Sequence, residues 1–170
     1  MDEGSVLEDV LEPGLKLVIC GTAASRRSAE VCAYYAGRGN KFWRTLAEIG
    51  LTPRQLAPAE YPLLAAFGIG LTDLAKGQSG GDAAIRFHAD GSRALRERML
   101  RFRPGVLCFN GKRAAGEFLG VRNVTFGLLS AEIGATRLFV APSTSGAASR
   151  YWDVSVWGEL ARVVAADVGG

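Results

Sequence analysis

Four loops of this sequence combine glycine with hydroxyl-bearing or basic residues, and each directly follows a short apolar run. They occupy residues 21–28 (GTAASRRS), 72–82 (TDLAKGQSGGD), 110–113 (NGKR) and 142–150 (PSTSGAASR). Short hydroxyls and backbone N–H groups are suited to holding phosphate or another anion. The second loop adds Asp73, a carboxylate that could orient water and stabilise a developing cation, or simply cap the next turn. One such loop would be ordinary, but four together indicate a ligand site.

The apolar runs that carry these loops are predicted strands, at residues 15–21, 67–72, 105–110 and 136–141. Each run is rich in β-branched or aromatic residues and too short for a helix. Amphipathic segments predict helices at 40–49, 92–102, 112–119 and 154–166. This alternation predicts an α/β fold with a mainly parallel four-stranded sheet that is covered on both faces. The four loops then meet beyond the carboxyl ends of the strands, where ligands of open α/β sheets bind.

Length and composition are those of one globular domain spanning residues 1–170. The sequence is 48% hydrophobic and 22% charged, and no apolar run reaches membrane-spanning length. Because the acidic first ten residues lack the layout of a secretory signal, we expect a soluble protein of the cytoplasm, without a membrane partner. The net charge of +3 permits a polyanionic partner without requiring one, and five of the basic residues fall within residues 26–44.

The three cysteines, Cys20, Cys32 and Cys108, form no CxxC pair, and two of them lie inside apolar runs. Such cysteines are usually reduced, small core residues. A structural metal or an iron–sulfur cluster would normally need four ligands at closer spacing. We therefore expect neither a metal nor another cofactor.

Several segments resemble one family of DNA-repair enzymes, in the right order and spacing. Residues 20–56 (CGTAASRRSAEVCAYYAGRGNKFWRTLAEIGLTPRQL) look like the first active-site loop of the mismatch-specific uracil-DNA glycosylases. GIGLTDLAKG, FNGKRAA and APSTSGAASRYW resemble later segments of thymine-DNA glycosylases. The chain is therefore similar to the uracil-DNA glycosylase superfamily, and within it to the mismatch-specific uracil and thymine-DNA glycosylase branch. The likeness runs from about residue 8 to residue 160.

This resemblance implies a three-layer α/β/α sandwich with a DNA groove across the loop edge of its four-stranded sheet. It also implies a monofunctional enzyme that hydrolyses the N-glycosidic bond of uracil in DNA and leaves an abasic site. The base must first leave the helix stack, at a cost of roughly a few kcal/mol that is smaller at a mismatch. The expected partner is double-stranded DNA, with single-stranded DNA as a second substrate, and the expected protein is a monomer.

The residues expected at the base come mainly from the first motif. Tyr35 matches the aromatic residue that stacks on the flipped base, although a core tyrosine would give the same pattern. Backbone N–H groups of residues 21–24 could form a nest for a uracil carbonyl or the attacking water. Asn40 could read the base or cap the next helix, because asparagine is a leading N-cap residue. Asn110 is expected only to shape the third loop. The expected base-binding set is Gly21, Thr22, Ala24, Tyr35 and Asn40.

The residues expected on the flanking DNA lie in three loops. Ser28 matches a family serine near phosphate, and Lys112 could touch DNA or only solvent. The loop at 142–150 corresponds to the family's phosphate clamp and to the wedge that fills the hole left by the flipped base. Its tip is built of small residues, so we expect weak dependence on the opposite base, unless Arg150 fills the gap. The expected DNA-contacting set is Ser28, Lys112, Ser143, Thr144, Ser145 and Arg150.

The catalytic side chains usual in this family are missing. The family places an asparagine third in the first motif to hold the catalytic water, and here GTAAS has Ala23 in that place, followed by Ala24. The last motif usually begins with asparagine or histidine, and here it begins with Ala141. Alanine cannot polarise water. We therefore expect Asp73 to act in the catalytic centre beside Ala23, with Asp82 as a second candidate.

Three functions stay open on the sequence. The first is a uracil-DNA glycosylase in which Asp73 activates water. General-base assistance is worth about 10²- to 10⁴-fold, so positioning and leaving-group stabilisation would sustain a slower reaction without it. The second is a non-catalytic binder of mismatched or abasic DNA. The third is an unrelated nucleotide-binding α/β enzyme, for which the chain lacks the GxGxxG and GxxxxGK[ST] patterns.

Overall fold

A computed structural model of the protein describes residues 5–168, apart from the side chains of Asp82, Asp167 and Val168. Five strands form one sheet: β1 (Leu17–Gly21), β2 (Ile69–Asp73), β3 (Val106–Asn110), β4 (Gly127–Ile133) and β5 (Thr136–Ala141). The helices are α1 (Arg26–Val31), α2 (Phe42–Glu48), α3 (Ala89–Phe102), α4 (Lys112–Leu119) and α5 (Val154–Val168). Short 3-10 segments occupy Pro58–Phe67, Asp82–Ala84 and Gly146–Tyr151. None of the described helices is both long enough and apolar enough to cross a lipid bilayer.

The side chains of the central strands alternate between two cores. Leu17 and Ile19 of β1 pack in one cluster with residues of α2 and α5. Val18 and Cys20 point to the other face, where they pack with residues of α3 and α4. Period-two alternation of this kind is the geometry of a strand buried on both faces, and each fully buried aliphatic side chain contributes roughly 1.5–3 kcal/mol. The result is the expected arrangement of helices on both faces of a central sheet.

The sheet has five strands rather than the four predicted. The predicted strands correspond to β1, β2, β3 and β5, and the strand that the sequence analysis missed is β4. It lies at the edge of the order β2-β1-β3-β5-β4, runs antiparallel to β5, and has a register shift between Leu128 and Glu132. Most of its middle residues are exposed, so its sequence has neither a continuous apolar run nor a clean alternation.

Parallel pairing brings the ends of the other four strands to one edge. Gly21 at the end of β1 pairs with Asp73 at the end of β2. Asn110 at the end of β3 pairs in the same way with Ala141 at the end of β5. Because β1 also pairs with β3 in parallel, the four following loops emerge side by side. The sheet thus assembles the predicted site from four distant parts of the chain.

The segment before β1 covers the outer edge of β2. The backbone N–H of Val10 donates to the carbonyl of Leu71 at 2.9 Å, and the N–H of Leu71 donates back at 3.0 Å. Gly70 allows this approach, because a Cβ at that position would collide with the Val10 carbonyl. Thr72 Oγ1 also donates to Asp9 Oδ1 at 2.7 Å. The covered edge leaves fewer unpaired backbone groups for association with another strand.

The three cysteines are all free thiols. Cys20 and Cys108 are buried core residues, and burial raises the pKa of both thiols above the usual range. They are therefore neutral and poorly reactive. Cys32 is exposed, at the end of α1. Among the described residues, no group of three or more His, Cys, Asp or Glu side chains could hold a metal ion together.

Candidate active site

A cavity of about 650 Å³ opens at the carboxyl edge of the sheet. Its volume is within the range of roughly 300–1,000 Å³ typical of small-molecule sites. All four predicted loops contribute to its wall. The residues that the sequence analysis selected and that line it are Gly21, Thr22, Ala23, Ala24, Ser28, Tyr35, Asn40, Asp73, Lys112, Ser143, Thr144 and Ser145. Arg150 does not line it; its guanidinium lies 5.8 Å from the ring centroid of Tyr151, which does.

Asp73 and Tyr35 converge on one point beside Gly21. A Cβ built on Gly21 would lie 3.0 Å from Asp73 Oδ1 and 3.1 Å from Tyr35 Oη. Asp73 is only 4% exposed, although it ends the edge strand β2. A side chain at position 21 would therefore crowd these two oxygen atoms, and glycine avoids that contact.

The environment of Asp73 makes its carboxylate a stronger base than usual. Burial raises the pKa of Asp73 from 3.8 to about 6, and the negative charge of Asp9 acts in the same direction. The cations Lys76 and Arg98 oppose the rise by favouring the charged form. The carboxylate is consequently ionised in most molecules at neutral pH. A pKa in this region suits a group that accepts a proton during catalysis.

Asp9 forms salt bridges with both of these cations. Lys76 Nζ lies 2.8 Å from Asp9 Oδ1, and Arg98 Nε lies 3.5 Å from Asp9 Oδ2. Arg98 also donates from Nη2 to the backbone carbonyl of Asp73 at 3.2 Å. All three charged side chains are largely buried. Neither cation makes a salt bridge of 4 Å or less with the Asp73 carboxylate among the described contacts, so the carboxylate faces the cavity without a paired countercharge.

Tyr35 forms part of the cavity wall instead of the closed core. Its backbone has φ 53°, a left-handed conformation that is uncommon for a bulky residue and costs of the order of 1–3 kcal/mol. Its ring stacks on Phe42 with centroids 4.0 Å apart. The ring is nevertheless partly exposed, and it lines the cavity. The preceding Tyr34 is the fully buried member of the pair, and it donates to the carbonyl of Glu8 at 3.0 Å.

The Tyr35 hydroxyl is buried and has no hydrogen-bond partner among the described residues. Burial and the charge of Asp73 raise its pKa well above the usual range. The side-chain amide of Asn110 acts in the opposite direction, although the pair lacks the geometry of a hydrogen bond. The group is therefore a neutral phenol at physiological pH.

Backbone hydrogen bonds join the first loop to the second. The carbonyl oxygens of Gly21 and Thr22 accept hydrogen bonds from the N–H groups of Leu74 and Ala75 at 2.9 and 2.7 Å. The carbonyl of Ala24 accepts from Gly80 at 2.9 Å. Ala23 lines the cavity with a methyl group, which cannot hold water by a hydrogen bond. The nest expected from the N–H groups of residues 21–24 stays a prediction.

Ser28 and Asn40 both make internal hydrogen bonds. Ser28 is 1% exposed, and its Oγ accepts from the Ala36 N–H and from Ser25 Oγ, both at 3.0 Å. Asn40 Oδ1 accepts from the N–H of Phe42, the first residue of α2, at 3.0 Å. Asn40 lies one residue before the N-cap of α2, Lys41, so this contact closes a turn at the entry to the helix and is not the N-cap bond considered for Asn40. Contacts of Ser28 with DNA and of Asn40 with a base stay predictions, and any such contact would be made in addition to these bonds.

The fourth loop is held by its own hydroxyls and by Asn110. Thr144 is fully buried and bonded to the Asn110 amide. Ser143 Oγ accepts from the N–H of Ser145 at 3.2 Å. Ser145 Oγ accepts from the N–H of Ala147 at 3.3 Å, at the start of the 3-10 segment. Ser143 and Ser145 are partly exposed and line the cavity, so a ligand in the cavity can reach both hydroxyls.

Comparison with known proteins identifies the family. The sequence profile of the Uracil DNA glycosylase superfamily matches residues 8–160. The chain belongs to this superfamily. A solution NMR structure of a Methanosarcina acetivorans protein, provisionally assigned as a uracil DNA glycosylase, is similar, with a TM-score of 0.61 and 25% sequence identity. The match covers 94% of this chain and 96% of that chain. The mostly parallel sheet between helices is thus the fold of the uracil DNA glycosylases, which act on DNA by hydrolysing N-glycosidic bonds.

The edge of the cavity is positively charged, as expected for a member of a superfamily that acts on DNA. Arg26, Lys112 and Arg113 all line the opening, and the side chain of Arg26 is 91% exposed. Lys112 Nζ lies 4.4 Å from the ring centroid of Phe126, and Arg113 lies 4.9 Å from that of Phe87. These contacts hold cations at the edge of the cavity.

Tyr151 is a site residue that the sequence analysis missed. It ends the 3-10 segment after the fourth loop, is 64% exposed, and lines the cavity. An exposed tyrosine can stack on a nucleic-acid base or insert into a duplex. The signal was present in the sequence, as an aromatic pair directly after Arg150.

Proposed function

We propose that this superfamily member excises uracil from DNA and leaves an abasic site, and that it is related to the mismatch-specific uracil and thymine-DNA glycosylase branch. The observation that carries this proposal is the buried carboxylate of Asp73 in the wall of the cavity. It supplies a proton acceptor in a chain whose first motif has Ala23 where the family usually has asparagine. The sequence motifs at residues 20–56 and 141–152 support the relationship to this branch.

The flipped base enters the cavity and lies against the exposed part of the Tyr35 ring. Phe42 supports that ring from behind, at a centroid distance of 4.0 Å, so the platform is rigid. Stacking of a base on an aromatic ring is worth about 1–3 kcal/mol, which offsets a large part of the cost of unstacking. Cations at the rim hold the flanking phosphates and so keep the nucleotide extruded.

Asp73 then accepts a proton from a water molecule. The water oxygen forms a bond to C1′ of the deoxyribose as the N-glycosidic bond breaks, and the electron pair of that bond leaves with the uracil. The products are an abasic sugar, a uracil anion and a protonated Asp73, which returns its proton to the base or to solvent. Backbone N–H groups of residues 21–24 stabilise the negative charge on the departing base.

A second candidate function is a non-catalytic binder of mismatched or abasic DNA. The observation in its favour is that Ala23 and Ala141, both without polar side-chain atoms, stand where the family usually has catalytic side chains. The two functions predict the same binding but differ in the fate of the bound strand.

A single assay separates the two functions. Labelled oligonucleotides with one uracil, single-stranded or opposite guanine or adenine, are incubated with the protein and treated with alkali, which breaks the strand at abasic sites. We expect strand breaks with wild type, and a rate about 10²- to 10⁴-fold lower with Asp73→Asn. Asp90→Asn is the matched control, because Asp90 is exposed at the start of α3 and does not line the cavity.

Each outcome of this assay is informative. Binding of uracil-containing DNA without strand breaks would replace the glycosylase with the non-catalytic binder. Strand breaks at the wild-type rate with Asp73→Asn would remove Asp73 from the reaction while keeping uracil excision.

A further inference from the structure

Gly21 separates the Tyr35 hydroxyl, which has no hydrogen-bond partner among the described residues, from the Asp73 carboxylate. The Tyr35 hydroxyl is one of only two buried side-chain polar atoms without a hydrogen-bond partner in the described part of the chain. The Asp73 carboxylate lies on the other side of Gly21, also buried. A buried hydroxyl without a partner is destabilising, so such a group calls for a ligand or for water.

The spacing of these atoms suits one small polar molecule. The position of a Cβ on Gly21 is 3.0 Å from Asp73 Oδ1 and 3.1 Å from Tyr35 Oη, so both oxygens border the space in front of Gly21. O–H···O hydrogen bonds are normally 2.5–3.0 Å long, roughly the same span. Both residues line the cavity, which places this point within reach of a bound substrate.

We propose that the Tyr35 hydroxyl and the Asp73 carboxylate together hold the nucleophilic water over Gly21, in place of the side chain that Ala23 lacks. The inference rests on the proposed function and extends it from one residue to a pair with a required glycine between them. Tyr35 then has two separate tasks, with its ring as the platform for the base and its hydroxyl as a contact for water.

The hydrogen bonds of this water give Asp73 and Tyr35 different roles. The water donates one hydrogen to Asp73 Oδ1 and the other to Tyr35 Oη, which leaves an oxygen lone pair free to attack C1′. Asp73 takes the first proton as the C1′–oxygen bond forms and the N-glycosidic bond breaks. Tyr35 keeps its own proton and takes none, because its neutral phenol is a poor base. It is thus a positioning residue for the water, and Asp73 is the base.

Gly21 is required because the water must approach both oxygens. A methyl group at this position would contact both oxygens at the tight distances above and would exclude the water. The φ angle of Gly21 lies outside the left-handed region, so alanine can adopt its backbone conformation. Steric exclusion, without backbone strain, is therefore the expected effect of Gly21→Ala.

The test compares two variants with a matched control under single-turnover conditions. Tyr35→Phe keeps the stacking on Phe42 and removes only the hydroxyl, and we expect the rate of uracil excision to fall roughly tenfold. Gly21→Ala should lower the rate further, by about a hundredfold, because both contacts are lost. Gly37→Ala is the control, since a Cβ on Gly37 would meet only Ser25 Oγ, at 4.0 Å. It should cleave like wild type.

Further readouts exclude a merely structural effect. The dissociation constant for an oligonucleotide with a non-hydrolysable 2′-fluoro analogue of deoxyuridine should be unchanged in Tyr35→Phe, and so should the thermal unfolding midpoint. The pH profile of Tyr35→Phe should keep its wild-type inflection with a lower plateau, because Asp73 is still the base.

Two results would overturn the inference. Wild-type rates in both Tyr35→Phe and Gly21→Ala, with cleavage lost in Asp73→Asn, would reject the shared water while leaving the proposed function intact. Weaker binding of the analogue by Tyr35→Phe with an unchanged rate would show that the hydroxyl contacts the base. No excision by the wild-type protein would instead reject the proposed function itself.

Discussion

Asn110 binds Thr144 through both ends of its side-chain amide. Oδ1 accepts from the backbone N–H of Thr144 at 3.0 Å, and Nδ2 donates to Thr144 Oγ1 at 3.0 Å. Both residues are buried, and they belong to the third and fourth loops of the cavity. The carbonyl of Thr144 in turn accepts from the N–H of Lys41, before α2. This chain of bonds fixes the third loop, the fourth loop and the start of α2 relative to one another.

The two hydrogen bonds of the Asn110 amide predict that substitutions of Asn110 and of Thr144 lower stability by different amounts. Asn110→Ala leaves the Thr144 N–H buried without a partner and should lower the free energy of unfolding by about 1–3 kcal/mol. Thr144→Val removes only the hydroxyl bond, so we expect a smaller loss, of about 1 kcal/mol. Urea unfolding of both variants measures the difference. Equal losses would mean that the backbone contact of Asn110 adds nothing.

The pKa of Asp73 predicts the pH dependence of excision. Only the ionised carboxylate accepts a proton, so the single-turnover rate should rise tenfold per pH unit below pH 6 and level off above it. The groups that set this inflection are the surrounding protein, which buries the carboxyl, and the charges of Lys76, Asp9 and Arg98. Lys76→Met removes a cation that favours the charged form and should move the inflection to higher pH. A rate that falls as pH increases from 5 to 7 would contradict this assignment.

The same pKa predicts that Asp73 lowers stability at neutral pH. The carboxyl is protonated in both folded and unfolded chains below pH 3.8, whereas between 3.8 and about 6 only the unfolded chain loses its proton. The free energy of unfolding therefore decreases across this window, by up to about 3 kcal/mol, since one pKa unit is worth 1.36 kcal/mol.

Asp73→Asn removes this titration. It should be more stable than wild type at pH 8 and should lose most of that advantage at pH 4.5, as measured by denaturant unfolding at each pH. Asp90→Asn, on the exposed start of α3, should show no comparable difference between the two pH values. An Asp73→Asn protein that is less stable than wild type at pH 8 would mean that the carboxylate is favourably paired in the folded state.

The positions of the site loops were predictable because of how parallel strands are buried. β1, β3 and β5 are covered on both faces, so each appears in the sequence as a continuous apolar run that ends in polar residues. Parallel pairing then sends those ends to one edge whatever the details of the helices. β4 has no such signature, since it is half exposed and is paired on one side only.

The roles of individual polar residues were less predictable, because they depend on side-chain direction. Ser28 and Asn40 lie in the expected loops, but their oxygens accept from the N–H groups of Ala36 and Phe42. Sequence shows that a hydroxyl or amide is present in a loop, not whether it points inward. The placement of Tyr35 Oη and Asp73 Oδ1 on either side of Gly21 could not be predicted from the sequence either. It depends on a left-handed backbone at Tyr35 and on the register of β1 with β2.

The rim cations predict how DNA binding depends on salt. Each phosphate contact that is lost should reduce the slope of log K against log salt by about 0.7 on single-stranded DNA. Lys112→Ala, at the cavity, should reduce the slope by about that amount, whereas Arg122→Ala, exposed beyond the far end of α4, should not. Binding of a fluorescent uracil-containing oligonucleotide at several salt concentrations gives both slopes. Equal slopes for Lys112→Ala and wild type would place Lys112 away from phosphate.

Tyr151 predicts a difference between single-stranded and double-stranded substrates. The tip of the fourth loop consists of small residues, so we expect Tyr151, which is large, exposed and on the cavity wall, to fill the gap that a flipped base would leave. A side chain that fills this gap matters only where an opposite strand exists. Tyr151→Ala should therefore slow excision from a duplex several-fold and leave single-stranded excision nearly unchanged, as measured with the same labelled strand in both forms. Arg150→Ala is the matched comparison, because Arg150 lies beside Tyr151 and outside the cavity wall. If Arg150→Ala produced the duplex-specific loss and Tyr151→Ala did not, the arginine would be the wedge.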